Sequence, residues 1–286
     1  MKVLVTGAAG QLGNTLRCMA PDFMYSDVVG EDNIILDITD AQAVNAFVEG
    51  NSIDVIINCA AYTNVDGAED NPDAAYLLNA TAVGNLAAAI KTRDGLLVHI
   101  STDYVFGGEP HDKPIREDAK PSPLGVYGKS KLRGEEAVLA SGVKHVIFRT
   151  AWLYSETGKN FVKTIQTLTS TRDSIKVVND QFGTPTYAGN LASIILLALE
   201  RYAEGTLRTG IYHYTGEGVA SWFDFAVEIA RLAGNTSCRI DPCCTGEFPS
   251  KAARPAYSVL DKTLVKETFG VQIPHWLDTL TAFFKS

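Results

Sequence analysis

Lys2-Val3-Leu4-Val5-Thr6-Gly7-Ala8-Ala9-Gly10-Gln11-Leu12-Gly13 opens the chain and decides its fold. A short apolar run over residues 2–6 passes directly into a glycine loop, and residues 10–20 carry a helical pattern that stops at Pro21. Glycine lets a backbone turn sharply and come close to a pyrophosphate, and the helix N-terminus that follows favours negative charge. The spacing of Gly7, Gly10 and Gly13 is GxxGxxG rather than GxGxxG, a triplet that also suits an ordinary strand-to-helix turn. Its place after the first strand of a βαβ unit makes dinucleotide binding the stronger reading.

Working outward, residues 23–26 suit a second strand and Ile34-Ile35-Leu36 a third short one. Residues 53–58 (IDVIIN) read as a strand buried on both faces, as parallel sheets require. An alanine-rich helix runs from about Pro72 to Arg93, followed by a buried strand from Leu96 to Ser101 and a Pro/Gly-rich loop over 107–123. A helix beginning near Val126 and a strand from Val143 to Arg149 close this half. Strands alternating with helices predict an α/β protein with a doubly wound parallel sheet over residues 1–150. Beyond Thr150 the alternation weakens, and residues 151–286 read mainly as a smaller C-terminal lobe, with a helix at 189–202 returning to the first domain. Ser221 and Asp224 look like the N-cap and acidic third residue of a further helix, with Gly234 as its stop.

A chain of 286 residues, 46% apolar and 20% charged, can bury a large core without covalent staples. Its net charge of −8 argues against a nucleic-acid-coating surface. Five cysteines (18, 59, 238, 243 and 244) show neither metal-ligand nor disulfide-framework spacing, which favours a reducing, cytoplasmic setting. The longest apolar stretch, residues 191–199, is too short for a membrane span, and Met1-Lys2 leads into a strand instead of a signal-peptide core. The protein is therefore expected to be neither exported nor membrane-anchored. Scattered acidic residues could bind Mg²⁺ at an interface, but no dedicated metal-ligand cluster stands out, and no metal site is predicted.

Asp27 lies twenty residues after Gly7, at the end of the second strand. A carboxylate there accepts hydrogen bonds from ribose hydroxyls and repels a 2′-phosphate, which favours NAD over NADP; otherwise Asp27 is a solvated loop residue. Asp37 and Ile38 could sit near the adenine. Tyr127 and Lys131 are four apart near a helix start and so share one face. A nearby ammonium would lower the phenol's pKa of about 10 towards the working range. Thr102, at the end of a buried strand, could bond a substrate carbonyl oxygen, or could simply cap the turn.

These stretches together resemble the extended short-chain dehydrogenase/reductases of Rossmann fold, and within them the dTDP-4-dehydrorhamnose reductase family. The resemblance rests on VTGAAGQLG (5–13), LDITD (36–40), INCAAYTNVDGAE (57–69), STDYVFGG (101–108), YGKSKLRGE (127–135), RTAWLY (149–154), GKNFV (158–162), DQFGTPT (180–186) and ARPAYSVLD (253–261). It implies Thr102, Tyr127 and Lys131 as the catalytic set. Gly7, Gly10, Gln11, Leu12, Gly13, Asp27, Asp37, Ile38, Ala61, Tyr62, Thr63, Tyr127 and Lys131 would then touch NADH or NADPH. Thr102, Asp103, Tyr104 and Trp152 would meet the sugar. The segment from Asp27 to Asn33 is longer than the family pattern and leaves the ribose contact open. Arg254 suits the substrate's diphosphate or a structural salt bridge, and Trp152 suits the sugar face or inter-lobe packing.

The reaction so implied is reduction of the C4 ketone of a dTDP-linked keto-sugar, giving dTDP-L-rhamnose, with a homodimer as a compatible assembly. Two alternatives stay open. One is another nucleotide-sugar enzyme on this fold, a 4-epimerase or 4,6-dehydratase, although Tyr104 stands where a dehydratase has Glu. The other is a non-catalytic, NAD(P)-binding subunit resembling the regulatory subunit of methionine adenosyltransferase.

Overall fold

In the computed structural model, which describes residues 1–27, 34–248 and 250–285, the apolar runs form one six-stranded parallel sheet. Its strands are β1 (Val3–Thr6), β2 (Met24–Ser26), β3 (Val55–Asn58), β4 (Leu96–Thr102), β5 (Lys144–Thr150) and β6 (Gly210–His213), in the spatial order 6-5-4-3-1-2. Alternate residues serve opposite faces. Leu4, Ile56, Leu97 and Ile147 pack against Val44, Leu86 and Val138 on one side; Val5, Ile57, Val98 and Phe148 pack against Leu12, Leu16, Leu191 and Ile195 on the other.

Those partners belong to α1 (Gln11–Met19), α2 (Ala41–Gly50), α3 (Ala82–Lys91), α4 (Val126–Ser141) and the helix Ala188–Ala203, which rests on α1. Val265, Phe269 and Ile273, near the C-terminus, join the same layer as α1. The remaining C-terminal segments form a separate, aromatic-rich core around Tyr154, Ile165, Phe225 and Trp276. Here the Ser221–Asp224 capping box opens the helix Trp222–Leu232: the Asp224 N–H donates to Ser221 Oγ (3.0 Å) and the Ser221 N–H to Asp224 Oδ2 (2.9 Å).

Four features depart from the sequence reading. The expected third strand is a single bridge between Ser26 and Ile34, and Ile35 is 80% exposed, because the run is too short to extend a ladder at the sheet edge. Residues 28–33, part of the long Asp27–Asn33 segment, lie outside the described residues. Helix α2 was missed, although the Asp40 carboxylate of LDITD caps it by accepting from the Gln42 and Ala43 N–H groups. Strand β6 was also missed, a four-residue addition to β5 from far along the chain. The helix expected over 72–93 is broken by a π turn at Leu77–Thr81 between Pro72–Tyr76 and α3. The buried Asn79 in that turn accepts from the Tyr62 N–H (2.8 Å) and donates to the Tyr62 carbonyl (3.1 Å) and to Ser130 Oγ (2.9 Å). An inserted residue that aims a side chain inward is a frequent use of π turns.

Helix α4 comes unusually close to that turn. A Cβ added at Gly134 would lie 2.1 Å from the Asn79 carbonyl oxygen. Gly134→Ala is therefore expected to destabilise the protein by about 1–3 kcal/mol, even though alanine is the better helix former. An unchanged urea midpoint would mean that the helix can move away freely.

Candidate active site

A cleft of ≈ 760 Å³ opens at the carboxyl ends of the strands, where the order reverses between β1 and β3. Ligands of open α/β sheets bind at this position. Gly7, Gly10, Gln11, Leu12, Asp27, Asp37, Ile38, Ala61 and Thr63 line one end. Thr102, Asp103, Tyr104, Tyr127, Lys131, Trp152 and Arg254 line the other.

The glycine loop fits a dinucleotide pyrophosphate. Gly7 has φ +69°, and a Cβ there would meet the Ala60 nitrogen at 2.5 Å. Gly10 caps α1 without a side-chain hydrogen bond, which leaves first-turn N–H groups for an anion. Asp27 Oδ2 accepts from the Ala9 N–H (2.9 Å), tying the end of β2 to the loop.

Gly13 and Tyr62, two further residues expected at the cofactor, have packing roles in the structure. A Cβ on Gly13 would stand 2.4 Å from the Gly7 carbonyl oxygen, so this glycine serves the close approach of helix and loop. The backbone of Tyr62 is held by Asn79, making the residue an anchor for the segment after β3.

At the other end, α4 sets Tyr127 and Lys131 beside the end of β4. The Thr102 hydroxyl borders the same part of the cleft as the Tyr127 phenol, donates to Asp103 Oδ1 (3.1 Å) and accepts from the Tyr104 N–H (3.2 Å). Burial pushes the phenol up to about 12; Thr102 works against that shift and Asp103 adds to it. The ammonium expected beside the phenol is directed elsewhere. Lys131 is buried, and its Nζ donates to the Ile100 carbonyl (2.6 Å), since a desolvated amine needs an acceptor. Burial brings Lys131 down to about 8, with Glu135 opposing the change.

Asp103 is 2% exposed, and its Oδ2 has no protein partner. Burial raises its carboxyl to about 6, with the nearby Ser258 hydroxyl and the hydrogen bond from Thr102 opposing the change. Trp152, at φ +48°, stacks on Trp222 with ring centroids 3.6 Å apart. Trp222 is a cleft residue that the sequence reading did not single out; seventy positions separate it from Trp152, and no local pattern marks the contact. Arg254 pairs with Asp66 (3.3 Å) while facing the cleft. Arg254 and Trp222 also line a second, more apolar cavity of ≈ 550 Å³ with Phe161, Ile175, Val177 and Phe248. Among the described residues, no group of three or more His, Cys, Asp or Glu side chains could hold a metal ion, and no helix is long and apolar enough to cross a membrane.

A glycine-rich turn at the switch point, with Thr, Tyr and Lys gathered at the end of the neighbouring strand, defines a nicotinamide-dependent reductase of the extended short-chain class. The chain belongs to the dTDP-4-dehydrorhamnose reductase family: the family model described as RmlD substrate binding domain matches residues 1–286. It is 41% identical to the dTDP-4-dehydrorhamnose reductase of Aggregatibacter actinomycetemcomitans, over 96% of this chain and 95% of that one. The crystal structure of a Clostridium acetobutylicum dTDP-4-dehydrorhamnose reductase superposes with a TM-score of 0.91 at 44% identity, covering 100% of this chain and 99% of the other. That of the Bacillus anthracis enzyme in complex with NADP gives 0.91 at 39% identity with the same coverage.

The buried Asp103 makes a signed prediction. Its folded pKa of about 6 lies above the ordinary 3.8, so the folded state holds the proton more tightly and loses stability as pH rises through that window. Asp103→Asn removes this dependence. The variant's Tm relative to the natural chain should rise between about pH 4 and pH 6.5, corresponding to a few kcal/mol at most. A constant difference across that range would show that Asp103 is not held as a raised carboxyl.

Proposed function

We propose that this chain catalyses NAD(P)H-dependent reduction of the C4 ketone of dTDP-4-dehydro-L-rhamnose to dTDP-L-rhamnose. The observation that carries the reading is the gathering of Thr102, Tyr127 and Lys131 at one end of a cleft whose other end is a glycine-rich dinucleotide cradle. The nicotinamide supplies hydride when bound; the protein supplies orientation and a proton.

Gly7, Gly10, Gln11 and Leu12 would hold the pyrophosphate, Asp27 the adenosine ribose, Asp37 and Ile38 the adenine surroundings, and Ala61 and Thr63 the middle of the cofactor. Tyr127 and Lys131 would hold the nicotinamide ribose. Tyr127 is the proton donor to the C4 oxygen. A phenol at about 12 is fully protonated at neutral pH. An alkoxide is the stronger base, so transfer remains downhill even from a phenol this weak. Thr102 hydrogen-bonds the same oxygen and then the phenolate left on Tyr127. Lys131 adds a fixed positive charge that favours both developing anions.

Asp103 and Tyr104 face the sugar hydroxyls, and Trp152, stiffened by Trp222, covers the ring. The second cavity suits the nucleotide: Phe161, Ile175, Val177 and Phe248 offer an apolar slot for a base. Arg254 at its neck suits the diphosphate, with Asp66 fixing the guanidinium. Residues 1–150, with the helix Ala188–Ala203, thus act as the cofactor domain and 151–286 mainly as the substrate lobe. NADH is the preferred donor in this reading, because the Asp27 carboxylate stands where a 2′-phosphate would bring further negative charge.

Absorbance of the reduced nicotinamide tests the assignment. With dTDP-4-dehydro-L-rhamnose one equivalent should be oxidised per ketone, and Tyr127→Phe should slow this by roughly 10²–10⁴-fold. Rates within a factor of about two would remove Tyr127 as the acid. For cofactor choice, kcat/KM should be higher for NADH than for NADPH, and Asp27→Asn should narrow the ratio by about tenfold, equivalent to ~1.4 kcal/mol. A natural chain that prefers NADPH would contradict the role given to Asp27.

A further inference from the structure

Tyr127, Lys131 and Glu135 recur every four residues along α4, so one stripe of the helix carries a phenol, an ammonium and a carboxylate. The assigned chemistry uses the first two. Glu135 is 1% exposed and lies away from the cleft lining. Its Oε1 accepts from Ser101 Oγ (2.5 Å), and both its oxygens are bridged by Arg149, Nη2 to Oε2 at 2.6 Å and Nε to Oε1 at 2.9 Å. Arg149 is itself 2% exposed and fully engaged. Its Nη1 reaches the Glu117 carbonyl and His213 Nε2, both at 3.4 Å, and its guanidinium lies 5.1 Å from the centre of the Phe106 ring. His213 Nδ1 bonds the Ile115 carbonyl, and the ring stays neutral through burial and the neighbouring Arg149.

This cluster sits behind two working groups. Ser101 lies between Ile100, whose carbonyl takes the Lys131 amine, and Thr102, which shares the cleft wall with Tyr127. The groups facing Lys131 are the Cys59 thiol after β3, His99 on β4, Glu135 on its own helix and the Ile100 carbonyl. His99 is kept neutral by burial and by Lys131 itself, and burial pushes the Cys59 thiol up to about 12. Both are uncharged near neutral pH, so Glu135 is the anion among them.

We propose that Glu135 is a positioning residue of this reductase, clamped by Arg149 so that it keeps Lys131 a cation and holds the Ser101–Thr102 strand end against Tyr127. The proposal rests on the reading of Lys131 given above. Glu135 follows Lys131 by four residues on α4, and a buried carboxylate on the same helix face favours the charged amine, by about 1–3 pH units of proton affinity in typical cases. A carboxylate left free to turn could not do so reliably, which gives Arg149 its function.

The test uses the full chain, Glu135→Gln, Glu135→Asp, and the double variant Glu135→Gln/Arg149→Met, which leaves no unpaired buried guanidinium. Acetylation of the Lys131 amine by acetic anhydride, followed by mass spectrometry across a pH series without cofactor, reads its ionisation directly. The natural chain should show a midpoint near about 8. Glu135→Gln and the double variant should both fall below it by about one pH unit or more, with Glu135→Asp returning towards the natural value. With substrate present, the alkaline limb of kcat/KM for NADH should move down in parallel. Should Glu135→Gln fail to fold, the double variant decides. A purely structural role predicts that the double variant, once folded, recovers the natural midpoint, and that result overturns the proposal. Lys131→Met separates the two readings: undiminished turnover and NADH binding would remove Lys131 from the site, while the labelling midpoints still judge Glu135.

Discussion

An ammonium with no water around it has to be solvated by the protein, and the site is built outward from that requirement at Lys131. The amine finds the Ile100 carbonyl at 2.6 Å only because α4 lies hard against the end of β4. Three small residues permit the approach. A Cβ on Gly128 would stand 2.2 Å from the Tyr104 carbonyl oxygen, and one on Gly134 2.1 Å from that of Asn79. Between them, Ser130 takes a hydrogen bond from Asn79 and donates to the Tyr127 carbonyl (2.8 Å). The run Tyr127-Gly128-Lys129-Ser130-Lys131 thus specifies packing as tightly as it specifies chemistry. Bulkier residues at the two glycines would lift the helix away and leave the amine without its acceptor.

The same closeness concentrates electrostatic cost in one region. Lys131 is brought down to about 8, Asp103 up to about 6 and His213 down to about 3, in each case chiefly through loss of solvent. Groups held away from their ordinary ionisation oppose folding at some pH, and their clustering beside a cleft is a common mark of a functional site. The two apolar layers flanking the sheet, Val44, Leu86 and Val138 on one side and Leu16, Leu191 and Ile195 on the other, supply the offsetting burial.

How much of this was readable in advance depended on whether the signal was local. The glycine loop, the buried strands and the Tyr127/Lys131 spacing are written in consecutive residues, and each falls where the pattern put it. Ile34-Ile35-Leu36 looked equally like a strand and forms one bridge, because edge pairing depends on what lies alongside and not on β-branching alone. β6 and the π turn at Leu77–Thr81 were invisible for a related reason: one needs a partner strand sixty residues earlier, the other an inward-facing Asn79. Tyr62 and Gly13 illustrate a further limit. Local sequence marks both as cofactor contacts but carries no sign of the loop that one holds or of the helix packing that the other permits.

The second lobe carries what the sequence concealed most completely. Trp152 leaves β5 in a left-handed backbone conformation that a bulky residue adopts only under constraint. The constraint is visible around its indole. Trp222 stacks on one face at 3.6 Å, and Gly183 lies so close that a Cβ there would meet the ring at 2.7 Å. Gly183 belongs to the DQFGTPT stretch, whose glycine therefore reads as clearance for an aromatic plate. Three segments far apart in the chain, at 152, 183 and 222, converge on one wall that borders the cofactor cleft, and Trp222 carries it on to the apolar cavity. The parallel sheet supplies a generic place for a dinucleotide and a proton donor, so selectivity among ketones must come from a surface of this kind, fixed by packing and not by any short motif.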